Sequence, residues 1–142
     1  MQLITNNAIY NYNEIDSDII KGLEDKFNKN LDDIYNYFEY NERHKPTITI
    51  IPTKNEWDKL ILEIHNYPDG KVPNWLVGLS TDNDEIYLLS IKEYDKTTHK
   101  FNEDDYDSAF KKYLKTALHE YVHFIHKKWI KSKGKEKLSI YT

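Results

Sequence analysis

Apolar residues recur every three or four positions in three stretches of the chain, the spacing of an amphipathic helix. These stretches cover residues 16–40, 54–65 and about 103–131. Asn28 and Asn30 are the positions at which the first helix is expected to be interrupted. The apolar stripe of the first stretch consists of Ile19, Ile20, Leu23, Phe27, Leu31, Ile34, Tyr35 and Phe38. The pattern therefore predicts three helices.

Shorter runs of β-branched and apolar residues predict strands between these helices. The run TITII at 47–51, between two prolines, is the clearest of them. Residues 75–80 and 85–90 are apolar on either side of TDND, which predicts a β-hairpin. Residues 3–10 are either a short strand or an irregular lead-in, and 92–101 are expected to form a loop. The order helix, strand, helix, strand, strand, helix predicts one α+β domain over residues 1–142.

Local signals predict where two of the helices begin and end. Thr53 and Glu56 have the spacing of a capping box, which starts the second helix. Asn102 offers an N-cap to the third helix, and Gly134, just after a lysine-rich turn, is expected to stop it.

Composition and charge exclude several classes of function. The net charge of −4 and the pI near 5.9 argue against nucleic acid binding, and the basic run at 126–133 is expected to be a solvated helix end. No apolar run approaches the roughly 20 residues of a membrane span. No signal peptide is visible, so a cytoplasmic protein is the default expectation, and a secreted protein that has already lost its signal peptide stays the alternative. The chain has no cysteine, so a transition-metal site must use histidines and carboxylates.

The segment TALHEYVHFIHKKW, residues 116–129, carries the candidate chemistry. On a helical wheel with His119 at zero, His123 falls near about 40°, His126 near about −20° and Glu120 near about 100°. A separate arc is apolar and is expected to face the core: Leu114, Ala117, Leu118, Tyr121, Val122, Ile125 and Trp129. The helix therefore has a core face and a histidine face.

His119, Glu120 and His123 fit the pattern H-E-x-x-H. Side chains four residues apart lie one helical turn apart, so two imidazoles in this relation can bind one zinc ion. Glu120 lies beside the first histidine, where a carboxylate can accept a proton from a water that the metal activates. The alternative is an ordinary amphipathic helix that carries surface histidines.

With these residues the chain resembles the zincin metallopeptidases, and within them the gluzincin-like group. The resemblance rests on LHEYVH at 118–123, PNWLVG at 73–78 and EIYL at 85–88, and it covers about residues 45–130. It implies a small zincin-like N-terminal subdomain, in which a mixed sheet with a β-hairpin edge packs against the active-site helix and further helices. It also implies that an extended peptide pairs with the edge strand.

Catalytic zinc usually takes three protein ligands, and the third is the weak point of the resemblance. In the family it is a glutamate on a later helix. The candidate third ligand is Glu136, the one acid after His123, although it stands among lysines and glycine, unlike the family's apolar ligand helix. His126 lies a further turn along, so a solvated or supporting role is expected for it. Exposed roles without chemistry are expected for His44, His65 and His99.

These observations predict a zinc-dependent metallopeptidase that hydrolyses a peptide or protein substrate. The alternative is a catalytically inactive zincin-like module that binds a peptide or partner protein at its edge strand. The apolar segment at 137–142 suggests that the peptidase unit continues past the end of this chain, with the ligand helix beyond it. The sequence leaves the oligomeric state open.

Overall fold

Five short strands form one mixed sheet. The β-branched run and the hairpin predicted three of these strands from the sequence. The structure, a computed structural model, describes residues 1–141, without the side chains of residues 103 and 135–141. The strands are β1 (Gln2–Ile4), β2 (Ile9–Asn11), β3 (Thr47–Ile51), β4 (Gly78–Ser80) and β5 (Glu85–Leu89). Across the sheet they follow the order β1-β2-β3-β5-β4. The inner pairs β2–β3 and β3–β5 are parallel, and the outer strands β1 and β4 pair antiparallel with their neighbours.

Three α-helices accompany the sheet, as predicted: α1 (Ser17–Tyr37), α2 (Lys54–Ile64) and α3 (Tyr106–Tyr141). Helix α3 packs against α1, β4 and β5. In β4 the side chains alternate between the two faces of the sheet. Ser80 faces α3, whereas Leu79 shares a groove with Leu60 and Ile64 of α2. The sheet therefore separates α2 from α1 and α3, and the prediction of a mixed α+β domain is confirmed.

The apolar stripe of α1 forms a large part of the core, as its spacing predicted. Six of its eight predicted residues are buried: Ile19, Ile20, Leu23, Phe27, Leu31 and Tyr35. The predicted interruption was wrong, because both asparagine side chains have partners that leave the helix intact. Asn28 accepts a hydrogen bond from Asn7, and Asn30 donates to the carbonyl of Lys26. Gly22 lets α3 approach closely, since a Cβ there would lie 2.6 Å from Cζ of Phe110.

Helix α2 begins at the predicted capping residue. The Thr53 hydroxyl oxygen accepts from the backbone N–H of Glu56 at 3.2 Å, and its O–H donates to the Glu56 carboxylate at 3.1 Å. The Glu56 carboxylate thus contacts the capping residue through the hydroxyl group of Thr53. Trp57 and Ile61 of α2 are fully buried, and the Trp57 indole N–H donates to the carbonyl of Leu76. This bond ties α2 to the segment that leads into β4.

Helix α3 continues past Gly134, so the predicted stop was wrong. A single glycine costs a helix only about 1 kcal/mol, which does not end it without a competing turn. The buried face is also wider than the predicted arc and includes Tyr113 and Phe124, whereas Leu118, Val122 and Trp129 are only half-buried. The buried face of α3 therefore extends around the helix as far as the position of Glu120.

Two segments have more regular structure than predicted. Residues 3–10 contribute to two strands, β1 and β2, which a turn closed by Thr5 and Ala8 connects. Within the predicted loop, Ile91–Lys96 is a 3-10 helix whose first backbone groups are capped by Ser90. Elements this short carry no hydrophobic period that a sequence pattern can detect. In the part of the chain that the structure describes, no helix has the length and hydrophobicity needed to cross a bilayer.

Candidate metal centre

Glu120 lies where α3 packs on the edge strand β4. The Ser80 hydroxyl, 2.6 Å from the main-chain oxygen of Glu120 and 3.0 Å from its Oε2, donates its hydrogen to these two acceptors. The Glu120 side chain passes directly over Gly78, because a Cβ at that glycine would lie 3.2 Å from Cγ of Glu120. The hydrogen bond from Ser80 thus holds the Glu120 carboxylate against β4 through one of its two oxygens, Oε2.

His119 and His123 lie on the exposed side of α3, close to each other. Their Nε2 atoms are 2.9 Å apart, their ring centroids 4.4 Å apart, and their planes nearly perpendicular at 89°. Both residues are exposed. A hydrogen bond between the two nitrogens holds the pair together when one ring donates and the other accepts. The spacing of four residues therefore places the two rings in contact on one face of α3.

The histidine pair supplies two of the donors that a zinc site requires. Two nitrogens that each lie 2.0–2.1 Å from one tetrahedral zinc ion are about 3.3–3.4 Å apart. The observed separation of 2.9 Å is slightly shorter, so the two rings must move apart a little to bind an ion, and the exposure of both rings gives an ion direct access. His119 and His123 can thus serve as two ligands of one ion.

The third ligand is not found among the described side chains. Within them, no group of three or more histidines and carboxylates is placed to hold a metal. The side chains of Glu136 and of the apolar segment at 137–142 lie outside the described part of the chain. Glu136 therefore stays a prediction.

The remaining histidines are held by other contacts. The exposed ring of His126 stacks on Phe38 at a centroid distance of 5.4 Å and on Trp129 at 5.9 Å. His99 is exposed and bonds through Nε2 to the carbonyl of Trp75. His65 is exposed, as predicted, whereas His44 is half-buried and bonded to a tyrosine hydroxyl.

Tyr121, between the two histidines, anchors the helix to the other end of the sheet. Its hydroxyl donates to the main-chain oxygen of Asn7 at 2.6 Å, and its ring packs on Phe27 of α1. Burial is the main cause that raises the pKa of Tyr121 well above its usual range, so the phenol stays neutral. This anchor turns the histidine face of α3 toward solvent.

The outer edge of β4 is open to a further strand. Val77 and Thr81 use their main-chain groups for bonds to β5, at 3.0 and 2.9 Å. In an antiparallel pair the intervening residues alternate, so the main-chain groups of Gly78 and Ser80 point away from β5. The carbonyl of Ser80 accepts a hydrogen bond from the Lys127 ammonium group at 3.0 Å. The predicted antiparallel edge strand is therefore present, with one of its acceptors covered.

Sequence reasoning did not find Ser80, Gly78 or Lys127 as parts of this site. A glycine inside a strand is a signal of close approach by another chain segment, and Gly78 meets Glu120 in this way. Nothing in the local sequence of Ser80 or Lys127 indicates their partners. Compared with protein-family models, curated proteins and solved structures, the chain matches none of them. The fold and site thus define an α+β domain with an exposed histidine pair beside an open strand edge.

Proposed function

We propose that this protein is a zinc-dependent metallopeptidase, with His119 and His123 as zinc ligands and Glu120 as the catalytic base. The proposal rests on one observation, the 2.9 Å approach of two exposed imidazole nitrogens one turn apart on α3. The i,i+4 spacing brings the two rings together, and the same helix carries the Glu120 carboxylate, which Ser80 holds in place. The resemblance of residues 118–123 to the zincin motif supports the same function.

Bound zinc would supply a Lewis acid and lower the pKa of a water to about 7. The chain's own contribution is the position of Glu120. Ser80 holds Oε2 of this carboxylate, which leaves Oε1 to take up and return a proton.

The edge of β4 is suited to orient an extended peptide next to these residues. Main-chain groups of Gly78 and Ser80 point toward the open edge, where a peptide can add as a further strand. Lys127 covers the Ser80 carbonyl, so the incoming peptide must displace its ammonium group. Strand addition would align the peptide along α3, because α3 packs on the same strand.

Metal analysis with matched variants tests the ligands. About one zinc per chain is expected for the unmodified protein, and less than about a tenth of that for His119→Ala and His123→Ala. His126→Ala is the control, since His126 is exposed on the same helix but stacks on Phe38 and Trp129. Equal zinc content in all four proteins contradicts the proposed ligands.

Glu120→Gln tests the chemistry separately from metal binding. The variant keeps the size of the side chain and is expected to retain zinc. Cleavage of an unstructured protein substrate such as casein should fall by about 10²–10⁴, the usual contribution of a general base. Cleavage that Glu120→Gln leaves unchanged does not come from this site.

A second function, a catalytically inactive module that binds a peptide at β4, is favoured by one observation. The described side chains supply two zinc ligands and no third, while the edge of β4 is open. This alternative predicts peptide binding without any cleavage that depends on Glu120. The two measurements above therefore separate the alternatives.

A further inference from the structure

A polar cavity of about 420 Å³ lies beside the N-terminal half of α3. One wall is α3 itself, and the other is the segment 94–101 that follows β5. The side chains that decide its character are Tyr94, His99, Lys100, Asp105, Lys112 and Thr116. None of them is one of the proposed zinc ligands or the proposed base.

Through Thr116 the cavity borders the contact between Glu120 and Gly78. Thr116 lines the cavity, and its Cγ2 lies 3.4 Å from the point where a Cβ of Gly78 would be, next to Cγ of Glu120. Lys112 and His119 are seven residues apart, which places them on one face of α3 about 10 Å from each other. Because an extended peptide advances about 3.4 Å per residue, the cavity lies within about three residues of the histidine pair.

The described side chains that line the cavity carry a net positive charge. Two exposed lysines, Lys100 and Lys112, face one carboxylate, Asp105. Neither lysine forms an ion pair with any residue whose side chain the structure describes. Among the described side chains that line the cavity, one positive charge therefore remains in excess of Asp105.

His99 keeps the cavity next to the start of β4. A carbonyl oxygen can only accept, so Nε2 of His99 carries the hydrogen in its 2.9 Å bond to Trp75. The ring of His99 also packs on Tyr94, with centroids 5.6 Å apart, and Tyr94 is almost fully buried. These contacts form an aromatic wall against which the methylene groups of a glutamate side chain can pack.

We infer that this cavity receives an acidic side chain, aspartate or glutamate, of a peptide bound along β4. The inference rests on the proposed function for the cleavage of that peptide. The acidic residue would lie within about three residues of the cleaved bond. Lys112 and Lys100 bind the carboxylate, and Thr116 connects this contact to Glu120. The substrate class is therefore a peptide with an acidic residue close to the cleavage site.

Peptide binding to the full chain tests the cavity without requiring cleavage. The probes are acetyl-Ala-Ala-Glu-Ala-Ala-amide and its Gln counterpart, titrated into the ¹⁵N-labelled protein. We expect the Glu peptide to bind about fivefold more tightly, with amide shifts at Thr116 and His99. Lys112→Glu should remove this preference. Lys111→Glu, a charge change on an exposed neighbour that does not line the cavity, should keep it.

Equal affinity for the Glu and Gln peptides overturns the inference, and so does an equal effect of Lys111→Glu and Lys112→Glu. Lys100→Met provides a second variant on the opposite wall and should reduce the preference by itself. Circular dichroism on each variant shows whether the fold is retained.

Cleavage of a random peptide library by the zinc-loaded chain separates this inference from the proposed function. If cleavage depends on Glu120 but shows no acidic preference within three residues of the cleaved bond, the peptidase remains and the cavity inference fails. If the Glu peptide binds preferentially but no Glu120-dependent cleavage occurs, the cavity inference remains and the peptidase fails.

Discussion

The two flanks of α3 at the candidate metal centre are built in different ways. On the flank toward β4, Glu120 packs over Gly78 and accepts a hydrogen bond from Ser80. On the outer flank, His119 and His123 are exposed and contact each other. The carboxylate thus takes its position from a contact between distant segments, whereas the histidines take theirs from the helix alone. We therefore expect substitutions on the first flank to change stability, and substitutions on the second to change metal binding alone.

Gly78→Val and His119→Ala should give the largest difference between the flanks. A Cβ at residue 78 would lie 3.2 Å from Cγ of Glu120 and 3.4 Å from Cδ2 of Leu88, so a branched side chain overpacks this contact. We expect a loss of about 1–3 kcal/mol in the free energy of unfolding. For exposed His119 the loss should stay below about 0.5 kcal/mol. Urea denaturation of the metal-free proteins measures both, and equal losses would contradict the distinction.

Ser80→Ala should have a smaller effect on the same flank. The variant removes the hydroxyl that donates to Glu120, which should cost about 1 kcal/mol of unfolding free energy. Peptide turnover should fall because the carboxylate loses its orientation, while zinc content should not change. Ser132→Ala, outside this contact, is the control for both measurements. A loss of zinc in Ser80→Ala alone would mean that the histidine pair also depends on β4.

A second pair of a serine and a carboxylate, Ser90 and Asp16, is fully buried. It extends the comparison to the pH dependence of stability. Asp16 is buried and accepts a hydrogen bond from Ser90 at 2.6 Å. Burial raises the pKa of Asp16, and the bond from Ser90 lowers it in part. The folded state therefore holds this proton more strongly than the unfolded chain, whose aspartate pKa is about 3.9. It follows that stability falls as pH rises from about 4 through the folded pKa.

Asp16→Asn should remove this loss of stability, because the amide carries no titratable proton. Ser90→Ala should move the loss to higher pH, because it removes the bond that favours the carboxylate. Urea midpoints between pH 4 and pH 7 measure both effects. An unchanged pH dependence in Asp16→Asn means that other groups produce it.

The smallest expected effect concerns the open edge of β4. Lys127→Met uncovers the carbonyl of Ser80, so an added peptide strand no longer displaces an ammonium group. We expect peptide affinity to rise by no more than about fivefold, the range of a partly exposed charged contact. Lys128→Met is the matched control, since Lys128 pairs with Asp84. Weaker peptide binding in Lys127→Met would mean that the Lys127 ammonium group contacts the bound peptide instead of the Ser80 carbonyl.

The elements with a long hydrophobic period were predicted well from the sequence. Helix α1 buries the predicted stripe, and the run at 47–51 is the central strand β3. The three-residue strands β1 and β2 and the 3-10 helix at Ile91–Lys96 are too short for such a period. At Gly134 the error was the opposite one, since the sequence predicted a helix end that the structure does not have. A local stop signal does not end a helix by itself.

The sequence alone determined the histidine pair, because residues four apart on a helix face the same direction whatever the rest of the chain does. It did not determine the contact between Ser80 and Glu120, which are forty residues apart and meet only because α3 packs on β4. The same packing brings the segment 94–101 against α3 and forms the cavity beside the histidines. Local periodicity carries no information about such contacts, since they depend on how distant elements bury their apolar faces against one another.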